Sequence, residues 1–539
     1  MKHTRLWIVL LAGLLLALPM RSAARADTAA DEVKFPVTCG PAAQKAFSHA
    51  TWMLHSFWYP EADKAFAEIT KSEPGCAMAH WGVAMSHWYP LWYPPNAAAL
   101  KAGSEAVEKA LAAQPKTERE KDYVTAIAAF YRDNDKLDHR TRAVAYEKAM
   151  EQVYQRYPED REAAIFYALA LNATALPTDK RFANKKKAAE ILNKVFTEQP
   201  NHPGVAHYLI HSDDTQELAE AGLPAAMCYA KIAPEVPHAL HMPSHIFTRL
   251  GLWQQSIESN TAAHDAAVAY VRKTLGEGGF DGETVHTMDY LEYAYLQLGQ
   301  DKEAKRVRDE LLGYNKIDGA NLPMAYAVAA IPVRYALERR DWRAAAALSE
   351  PQISVPLEKF PWAVAMVSYG RALGMANTGD AAGAQAEITK LQALKDKLLE
   401  AKDTYWANQI EVQRLGADGM LAHAQGDDKK AVELVRAAAD LAATMDKHPA
   451  TPAEVLPARE LLADLLLAIN DSASAAKEYD RSLKAEPNRF RSLLGKARAA
   501  KQAGDLAASR NAYQKLLMLS SRADGDRPEL AEAKAVLSN

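Results

Sequence analysis

Two pairs of histidines repeat along this chain at a fixed distance. His207 and His211 are four residues apart, as are His241 and His245, and the second pair follows the first by 34 residues. A period of this length is typical of repeats built from two helices, in which each unit packs on the next. Residues four apart lie on one face of a helix. The spacing therefore predicts four imidazoles facing one patch from two neighbouring helices.

Other landmarks extend the repeat pattern over nearly all of the chain. Gly299, Gly379 and Gly426 each precede an alanine by five residues, where a small side chain lets two helices approach closely. Prolines mark further unit ends, at Pro158, Pro200, Pro234 and Pro487. Apolar residues recur at helical spacing, and no stretch alternates in the manner of a strand. These marks predict an all-α fold.

This order of glycine, alanine, aromatic residue and proline resembles the tetratricopeptide-repeat (TPR) superfamily. The resemblance covers nearly all of the chain after its leader and implies a right-handed superhelical solenoid of about 11 or 12 helix-turn-helix units. The stretch from His238 to Phe247 is similar to a segment of exported bacterial TPR-like proteins of unknown role. TPR arrays commonly serve as interaction platforms, so the resemblance also implies a protein or peptide partner in a concave groove.

The two parts of the chain differ in composition. Residues 27–310 contain 13 of the 16 histidines and most of the tryptophans, and they contain longer inserts between units. Residues 320–539 are regular, alanine-rich repeats with few histidines. We therefore expect a boundary at residues 310–325 and assign any special chemistry to the first part.

The first 26 residues have the features of a secretory signal peptide. Lys2 and Arg5 precede an apolar run too short to span a bilayer, and Ala24 to Ala26 form a small-x-small cleavage site. Cleavage after Ala26 removes four cations and no acid, which changes the formal net charge from -4 to -8. We expect a periplasmic or secreted protein with no membrane span and no affinity for nucleic acid.

The chain has three cysteines, which in an exported protein favours a disulfide. Cys39 and Cys76 are the expected pair, and Cys228 is the third cysteine, outside the expected disulfide. Three free, buried thiols are the alternative.

The resemblance to TPR units also implies which residues line the concave groove. In the middle units these positions fall on His238, Asp289 and Tyr293, beside the paired histidines. In an early unit they fall on Trp81 and Trp88, whose alternative role is to fill the core of the repeat. Arg334 takes a groove position in a later unit, where it would clamp a carboxylate or remain solvated.

The histidine spacing predicts a metal site, because imidazoles one helical turn apart chelate a single ion. The predicted ligands are His207, His211, His241, His245, His286 and Asp289. Imidazole ligands suit zinc, copper or iron. Neighbouring helices lie about 8–10 Å apart, so the predicted ligands cannot all reach one ion. Two sites are more realistic, or one site with three ligands that neighbouring side chains hold in place. Asp213 and Asp214 are alternative carboxylates. A metal-free His/Asp acid–base site and histidines that only pack are the remaining alternatives.

Pro243 lies between His241 and His245, and it would disturb the interior of a helix but not its first turn. We therefore expect that the helix begins near residue 240 and that His238 lies on a loop.

Three functions follow from this pattern. The leading one is an exported TPR scaffold that binds a protein, peptide or other ligand in its groove and holds a metal ion through its histidines. The alternative is a metal-dependent enzyme, a hydrolase or an oxidoreductase, that uses the His/Asp cluster. The third is a structural scaffold whose histidines only pack. The sequence shows no P-loop, no dinucleotide fingerprint, no serine-hydrolase elbow and no haem-attachment motif.

Overall fold

The computed structural model describes residues 33–91, 94–350, 353 and 355–538, which are helical over most of their length. The leader at residues 1–26 and its cleavage site lie outside the described residues. The first helices are Pro41–His55, Tyr59–Ser72, Ala77–Ser86, Ala97–Ala112, Glu118–Tyr131, His139–Arg156, Arg161–Thr174, Ala183–Glu198, Pro203–Asp213, Ala219–Ile232, Pro237–His241 and Pro243–Arg249.

The chain continues as helices after residue 250, with a small amount of strand. The helices there are Trp253–Leu275, Gly282–Gln297, Asp301–Leu311, Leu322–Glu338, Trp342–Ala346, Pro361–Thr378, Ala381–Glu400, Thr404–Ala424, Asp428–Ala442, Ala458–Ala468, Ser472–Ala485, Phe490–Gln502, Leu506–Leu519 and Pro528–Ser538, with a 3₁₀ turn at Leu357–Lys359. The two-residue strands Gly279–Phe280 and Lys316–Ile317 pair in parallel.

Helices that follow one another in the chain pack as hairpins, and each hairpin packs on the next. The helix Pro361–Thr378, for example, contacts both Ala381–Glu400 and Thr404–Ala424. The same pattern of neighbour and next-neighbour contacts extends along the chain. The predicted all-α, TPR-like repeat fold is confirmed by this packing.

The turn chemistry of the later units explains why the helices end where they do. Gly379 and Gly426 adopt φ values of 91° and 86°, a left-handed conformation that costs least at glycine and ends the preceding helix. The next residues, Asp380 and Asp427, each accept a hydrogen bond from a backbone N–H of the following helix. The residues at each turn therefore determine where one helix of a hairpin ends and the next begins.

Buried apolar residues form two large clusters and a smaller one. The first cluster extends from Val33 to Phe247 and the second from Trp253 to Ala499, while the third lies within residues 490–533. In the sequence, the first large cluster therefore ends just before residue 250 and the second begins just after it. Residues 310–325 contain the second short strand and a loop, and the division of the chain predicted there stays a prediction.

The later units fold back onto the middle of the chain. Trp253 donates its indole N–H to the carbonyl of Asn488 at 2.8 Å, and Tyr290 donates its hydroxyl to the carbonyl of Thr451 at 3.2 Å. As a result, residues 447–456 and 486–491 cover the face on which the middle units were expected to form an open groove.

The N-terminal units are joined covalently. Cys39, which precedes the first helix, forms a disulfide with Cys76 at the start of the helix Ala77–Ser86. Cys228 is a free, partly buried thiol. Across the part of the chain that the structure describes, no helix combines the length and the apolar character needed to cross a membrane.

Candidate metal centre

Three histidines converge at the start of the middle units. His207 and His211 lie one turn apart on the helix Pro203–Asp213, and His238 lies on the short helix Pro237–His241. The Nε2 atom of His207 is 3.0 Å from Nε2 of His211 and 3.2 Å from Nε2 of His238. All three side chains are buried. We call this set the first triad.

A second triad forms beside it from the next unit. His241 and His245 place their Nε2 atoms 3.0 Å apart, and the ring centroid of His286, on the helix Gly282–Gln297, lies 4.4 Å from that of His241. In each triad, one potential ligand atom per residue lies within 4.8 Å of the others. The two triads are adjacent, since the ring centroids of His238 and His241 are 6.4 Å apart.

Pro243 does not separate the two histidines that flank it. One short helix ends at His241, Met242 keeps helical dihedral angles, and Pro243 is the first residue of the helix Pro243–Arg249. Proline is tolerated at that position because its missing N–H would have no partner there. His241 and His245 therefore remain one turn apart, and His238 lies on the preceding helix rather than on the expected loop.

Outer hydrogen bonds fix the orientation of three of the imidazoles. His207 donates from Nδ1 to the carbonyl of His55 at 2.7 Å. His241 donates from Nδ1 to Oδ1 of Asn260 at 2.6 Å, and the amide nitrogen of Asn260 is committed to the carbonyl of Ser256. His245 donates from Nδ1 to the carboxylate of Asp214 at 3.0 Å. Such bonds are typical of metal-bound histidines and leave the Nε2 lone pair free.

The hydrogen bond from His207 to the carbonyl of His55 depends on the close approach of two helices, Pro41–His55 and Pro203–Asp213. A Cβ atom at Gly204 would lie 2.5 Å from Nδ1 of His55, so only glycine fits there. The contact brings the carbonyl of His55 against His207. Gly204 thus helps to set the tautomer of the first triad.

Burial keeps the imidazoles neutral. It lowers the pKa of His241 to about 3, with a further contribution from nearby His245. It also lowers the pKa of His207, His211 and His286 well below the ordinary value, and neighbouring histidines add to the effect. At neutral pH, therefore, these four imidazoles are uncharged, which is the state that binds metal.

Asp289, predicted as a ligand, lies elsewhere, and that assignment is corrected. Its Oδ1 accepts a hydrogen bond from Nη1 of Arg334 at 2.5 Å, and Arg334 also bonds Glu292 at 3.1 Å. Asp289 is buried in an ion-pair network three residues from His286, on the side of the helix that faces the next unit. The carboxylates that reach the triads are instead Asp214, at Nδ1 of His245, and Glu283, whose Oε2 lies 3.4 Å from Nδ1 of His238.

The residues expected in an open groove are buried. Trp81 packs against Phe35 and Phe166 in the N-terminal core, and Trp88 packs edge-on against Tyr146. Trp81 and Trp88 therefore fill the core of the repeat, which was the alternative to lining the groove.

Two further groove positions are closed by the later units. Tyr293 accepts a hydrogen bond from Arg489 at 2.9 Å, and Arg334 lies fully buried beside the carbonyl of Ala453. The groove assignment of both is corrected because the chain itself covers them. His238 was also expected to line the groove, but it belongs to the first triad.

A third buried cluster was missed by the sequence reasoning. Glu162 accepts from Nε2 of His202 at 2.8 Å and from Nε2 of His55 at 2.9 Å. Its carboxylate oxygens are thus already paired with the imidazoles, unlike the converging nitrogen atoms of the triads. No regular sequence spacing links His55 to His202. We interpret this cluster as an internal ion-pair network.

A pocket opens beside both triads. Its volume is about 280 Å³, and His238 of the first triad and His286 of the second lie in its wall. The other lining residues are Phe57, Trp58, Tyr59, Pro60, Tyr89, Leu91, Val236, Pro237, Tyr270, Asp281, Gly282, Glu283, Asp318, Asn321, Pro323 and Ala450. The pocket gives a small molecule access to one histidine of each triad.

Phe57 separates the first triad from the rest of this pocket. Its ring stacks on the rings of His211 and His238, at a centroid distance of 5.6 Å from each. Phe57 adopts a φ of 56°, which is unfavourable for a bulky side chain and is often found at functional positions. The chain therefore holds this ring against the histidines at an energetic cost.

Comparison with protein-family models gives no match to this chain, and comparison with curated proteins gives none either. Among solved structures, the chain is similar to one from the crystal structure of the APC/C hetero-tetramer Cut9–Hcn1, with 12% identity, coverage of 92% of this chain and 90% of that chain, and a TM-score of 0.29. It is also similar to a chain from the structure of Naa15/Naa10 bound to HypK-THB, with 12% identity, coverage of 92% and 91%, and a TM-score of 0.25. At these TM-scores the likeness carries no argument, and the fold rests on the helix packing described above.

Proposed function

We propose that this chain binds two transition-metal ions, one in each histidine triad, and that the paired centre acts on a small molecule in the adjoining pocket. One observation carries the proposal. In the second triad, the Nδ1 atoms of His241 and His245 both donate outward, so their Nε2 lone pairs point at each other across 3.0 Å. Two facing lone pairs repel unless a cation lies between them.

The spacing of the nitrogen atoms suits such an ion. Ligands about 2.0–2.1 Å from a tetrahedral metal lie about 3.3 Å from one another. The separations of 3.0 and 3.2 Å within the triads are close to that value. Burial disfavours a proton between Nε2 of His241 and Nε2 of His245, because it lowers the pKa of both imidazoles.

The donor set favours zinc, copper or iron over magnesium or calcium. Each triad offers only imidazole nitrogen, whereas magnesium and calcium prefer oxygen ligands. Three protein ligands leave a fourth position open, which is typical of catalytic rather than structural zinc sites. In that position a bound water becomes acidic enough to act as a nucleophile near neutral pH. The enzyme alternative is favoured here because His238 and His286 also line the pocket.

The proposed protein or peptide partner has less support than the metal centre. Tyr293 and Arg334, which would line the groove, are covered by residues 447–491 of the same chain. Export to the periplasm or medium remains part of the proposal. The disulfide between Cys39 and Cys76 supports it, because disulfides persist mainly in oxidising compartments.

Metal analysis of three variants tests the proposal. The full chain without a tag is purified, exposed to zinc or copper, desalted and measured by plasma mass spectrometry. We expect two ions per chain in the wild type, and one in each of His211→Ala and His286→Ala, because each change removes one ligand from one triad. His423→Ala is the matched control, since His423 is partly exposed and pairs with Asp428 outside the triads. Retention of folding is checked by circular dichroism.

Two results would contradict the proposal. One is a wild-type protein that takes up no metal at stoichiometric concentration. The other is metal binding that is unchanged in both triad variants.

A further inference from the structure

Part of the pocket wall is acidic. Asp281, Glu283 and Asp318 contribute carboxylates, and none of the described lining residues is lysine or arginine. Burial raises the pKa of Asp281, and the neighbouring charges of Glu283 and Asp318 raise it further. Oε2 of Glu283 lies 3.4 Å from Nδ1 of His238, so Asp281 and Asp318 are the carboxylates of this pocket that have no cationic side chain among the described lining residues.

The remaining wall is aromatic. Trp58 and Tyr270 meet edge to face at 5.8 Å, and Phe57 stacks on Tyr59 at 5.1 Å. Tyr89 packs edge-on against Tyr59 at 5.1 Å. Aromatic faces beside carboxylates attract organic cations through both charge and cation–π contacts.

Two buried polar atoms at the pocket have no hydrogen-bond partner. They are Nδ1 of His286, whose side chain is 6% exposed, and Oε1 of Glu283. Buried polar groups are normally paired, so unpaired ones at a pocket indicate a missing ligand. Phe57 and Tyr89 both hold positive φ values, of 56° and 46°, in the same wall. Backbone strain of this kind recurs at ligand sites.

From these observations we infer that the pocket binds a small organic ammonium compound with an apolar or aromatic body of about one ring. Its ammonium group contacts the carboxylates of Asp281, Glu283 and Asp318, and its body packs on the aromatic wall. The rest of the molecule then faces His238 and His286. The inference rests on the proposed function in that this compound is the ligand of the metal centre.

Size and charge exclude other ligand classes. The volume of about 280 Å³ lies near the lower end of the roughly 300–1,000 Å³ that ligand pockets span, so a large or polymeric ligand does not fit. A phosphate ester or a free carboxylate would place its negative charge against the acidic wall.

Calorimetric titration with three matched probes tests the inference. The probes are 2-phenylethylamine, 2-phenylethanol and 3-phenylpropionate, which share a ring and differ in charge. Each is titrated into the full chain at neutral pH, once loaded with zinc or copper and once treated with a chelator. We expect the amine to bind at least tenfold more tightly than the alcohol and the carboxylate to bind most weakly.

Asp318→Asn is the variant of choice because Asp318 is exposed and its loop position is held by a backbone hydrogen bond. We expect it to weaken binding of the amine several-fold and to leave binding of the alcohol unchanged. Glu159→Gln is the control, since Glu159 is 91% exposed and lies outside the pocket lining. Equal binding of amine and alcohol, or an unchanged affinity of the amine in Asp318→Asn, would overturn the inference.

The two proposals fail in different ways. If the protein holds no metal but still prefers the amine, the metal centre is wrong and the inference about the pocket stands. If the protein holds two ions and shows no preference for the amine, the metal centre stands and the inference is wrong. Metal content is therefore measured on the same samples that are used for titration.

Discussion

His241 and His245 point their Nε2 atoms at each other across 3.0 Å, while both Nδ1 atoms are held by acceptors on other helices. The acceptors determine which nitrogen carries the proton, because a carboxylate or an amide oxygen can only accept. The facing nitrogen atoms are then both lone pairs. This arrangement distinguishes the second triad from the cluster at Glu162, where Nε2 of His55 and Nε2 of His202 each donate to a carboxylate oxygen.

The carboxylate of Asp214 should raise the metal affinity of the second triad. It holds Nδ1 of His245 and is itself bound by Nε of Arg249 at 2.8 Å. Outer partners of this kind typically contribute 10- to 100-fold to affinity. In Asp214→Asn we expect one of the two ions to bind roughly 10- to 100-fold more weakly. Competition with a chromophoric chelator measures the change.

Asp213→Asn provides the control for that experiment. Asp213 is adjacent in sequence and equally buried, but among the described residues it makes no hydrogen bond to a histidine of either triad. Its substitution should leave both affinities unchanged. Equal losses in the two variants would mean that general damage to the helix end, rather than orientation of His245, explains the effect.

Phe57 should control how fast the first triad exchanges its ion. The ring lies over His211 and His238, and an apolar layer around a metal site limits access of solvent and chelator. In Phe57→Ala we expect one ion to dissociate about tenfold faster or more in stopped-flow mixing with excess chelator.

Tyr89→Ala is matched to this change because Tyr89 also has a positive φ and lies in the same pocket. No ring contact is found between Tyr89 and a triad histidine among the described side chains, so its dissociation rates should match the wild type. Faster release in both variants would show that opening the pocket, not uncovering the triad, sets the rate.

Much of the site was predictable because it depends on local periodicity. The HxxxH spacing and the 34-residue offset predicted that His207, His211, His241 and His245 lie together in two neighbouring units, and the next unit added His286. Asp289 was misplaced because it is three residues from His286 along the same helix. A shift of one position turns a side chain toward a different neighbour, and here Arg334 of the next unit holds it.

The overall course of the chain was less predictable. Glycine and aspartate pairs such as Gly379 and Asp380 end one helix and begin the next, so hairpins follow from sequence alone. Contacts between distant units depend on small rotations added over many hairpins, and no local pattern encodes that sum. For this reason the return of Asn488 to Trp253, and with it the closure of the groove, was not expected from the sequence.

The disulfide between Cys39 and Cys76 should stabilise the N-terminal units. It closes a loop with a sequence separation of 37, for which loop entropy gives about 4 kcal/mol. We expect Cys39→Ser/Cys76→Ser to lower the free energy of unfolding of these units by about 2–4 kcal/mol in urea. Cys228→Ser is the control because its side chain donates only to the carbonyl of Ala225. A double variant as stable as the wild type would show that the pair is not bonded in solution.

Arg489 and Glu460 should determine how acid destabilises the folded-back units. Arg489 is fully buried and donates from Nε to Glu460 at 2.9 Å and from Nη2 to Glu338 at 2.5 Å. Burial alone would raise the pKa of Glu460, but the guanidinium of Arg489 outweighs it and holds this pKa below its usual 4.5. The stabilisation is therefore complete above pH 4.5 and is lost as the pH falls from there toward the lower pKa of the folded state.

Replacing Glu460 tests that account. In Glu460→Gln we expect the free energy of unfolding at neutral pH to fall by about 3–5 kcal/mol, because the charge of Arg489 loses one of its partners. Below pH 4.5 the difference should shrink, since the wild type then loses the same charge by protonation. Thermal and urea unfolding between pH 3 and 8 measure both effects, with Glu159→Gln as the exposed control. A difference that stays constant across this range would mean that packing, not charge, makes Glu460 important.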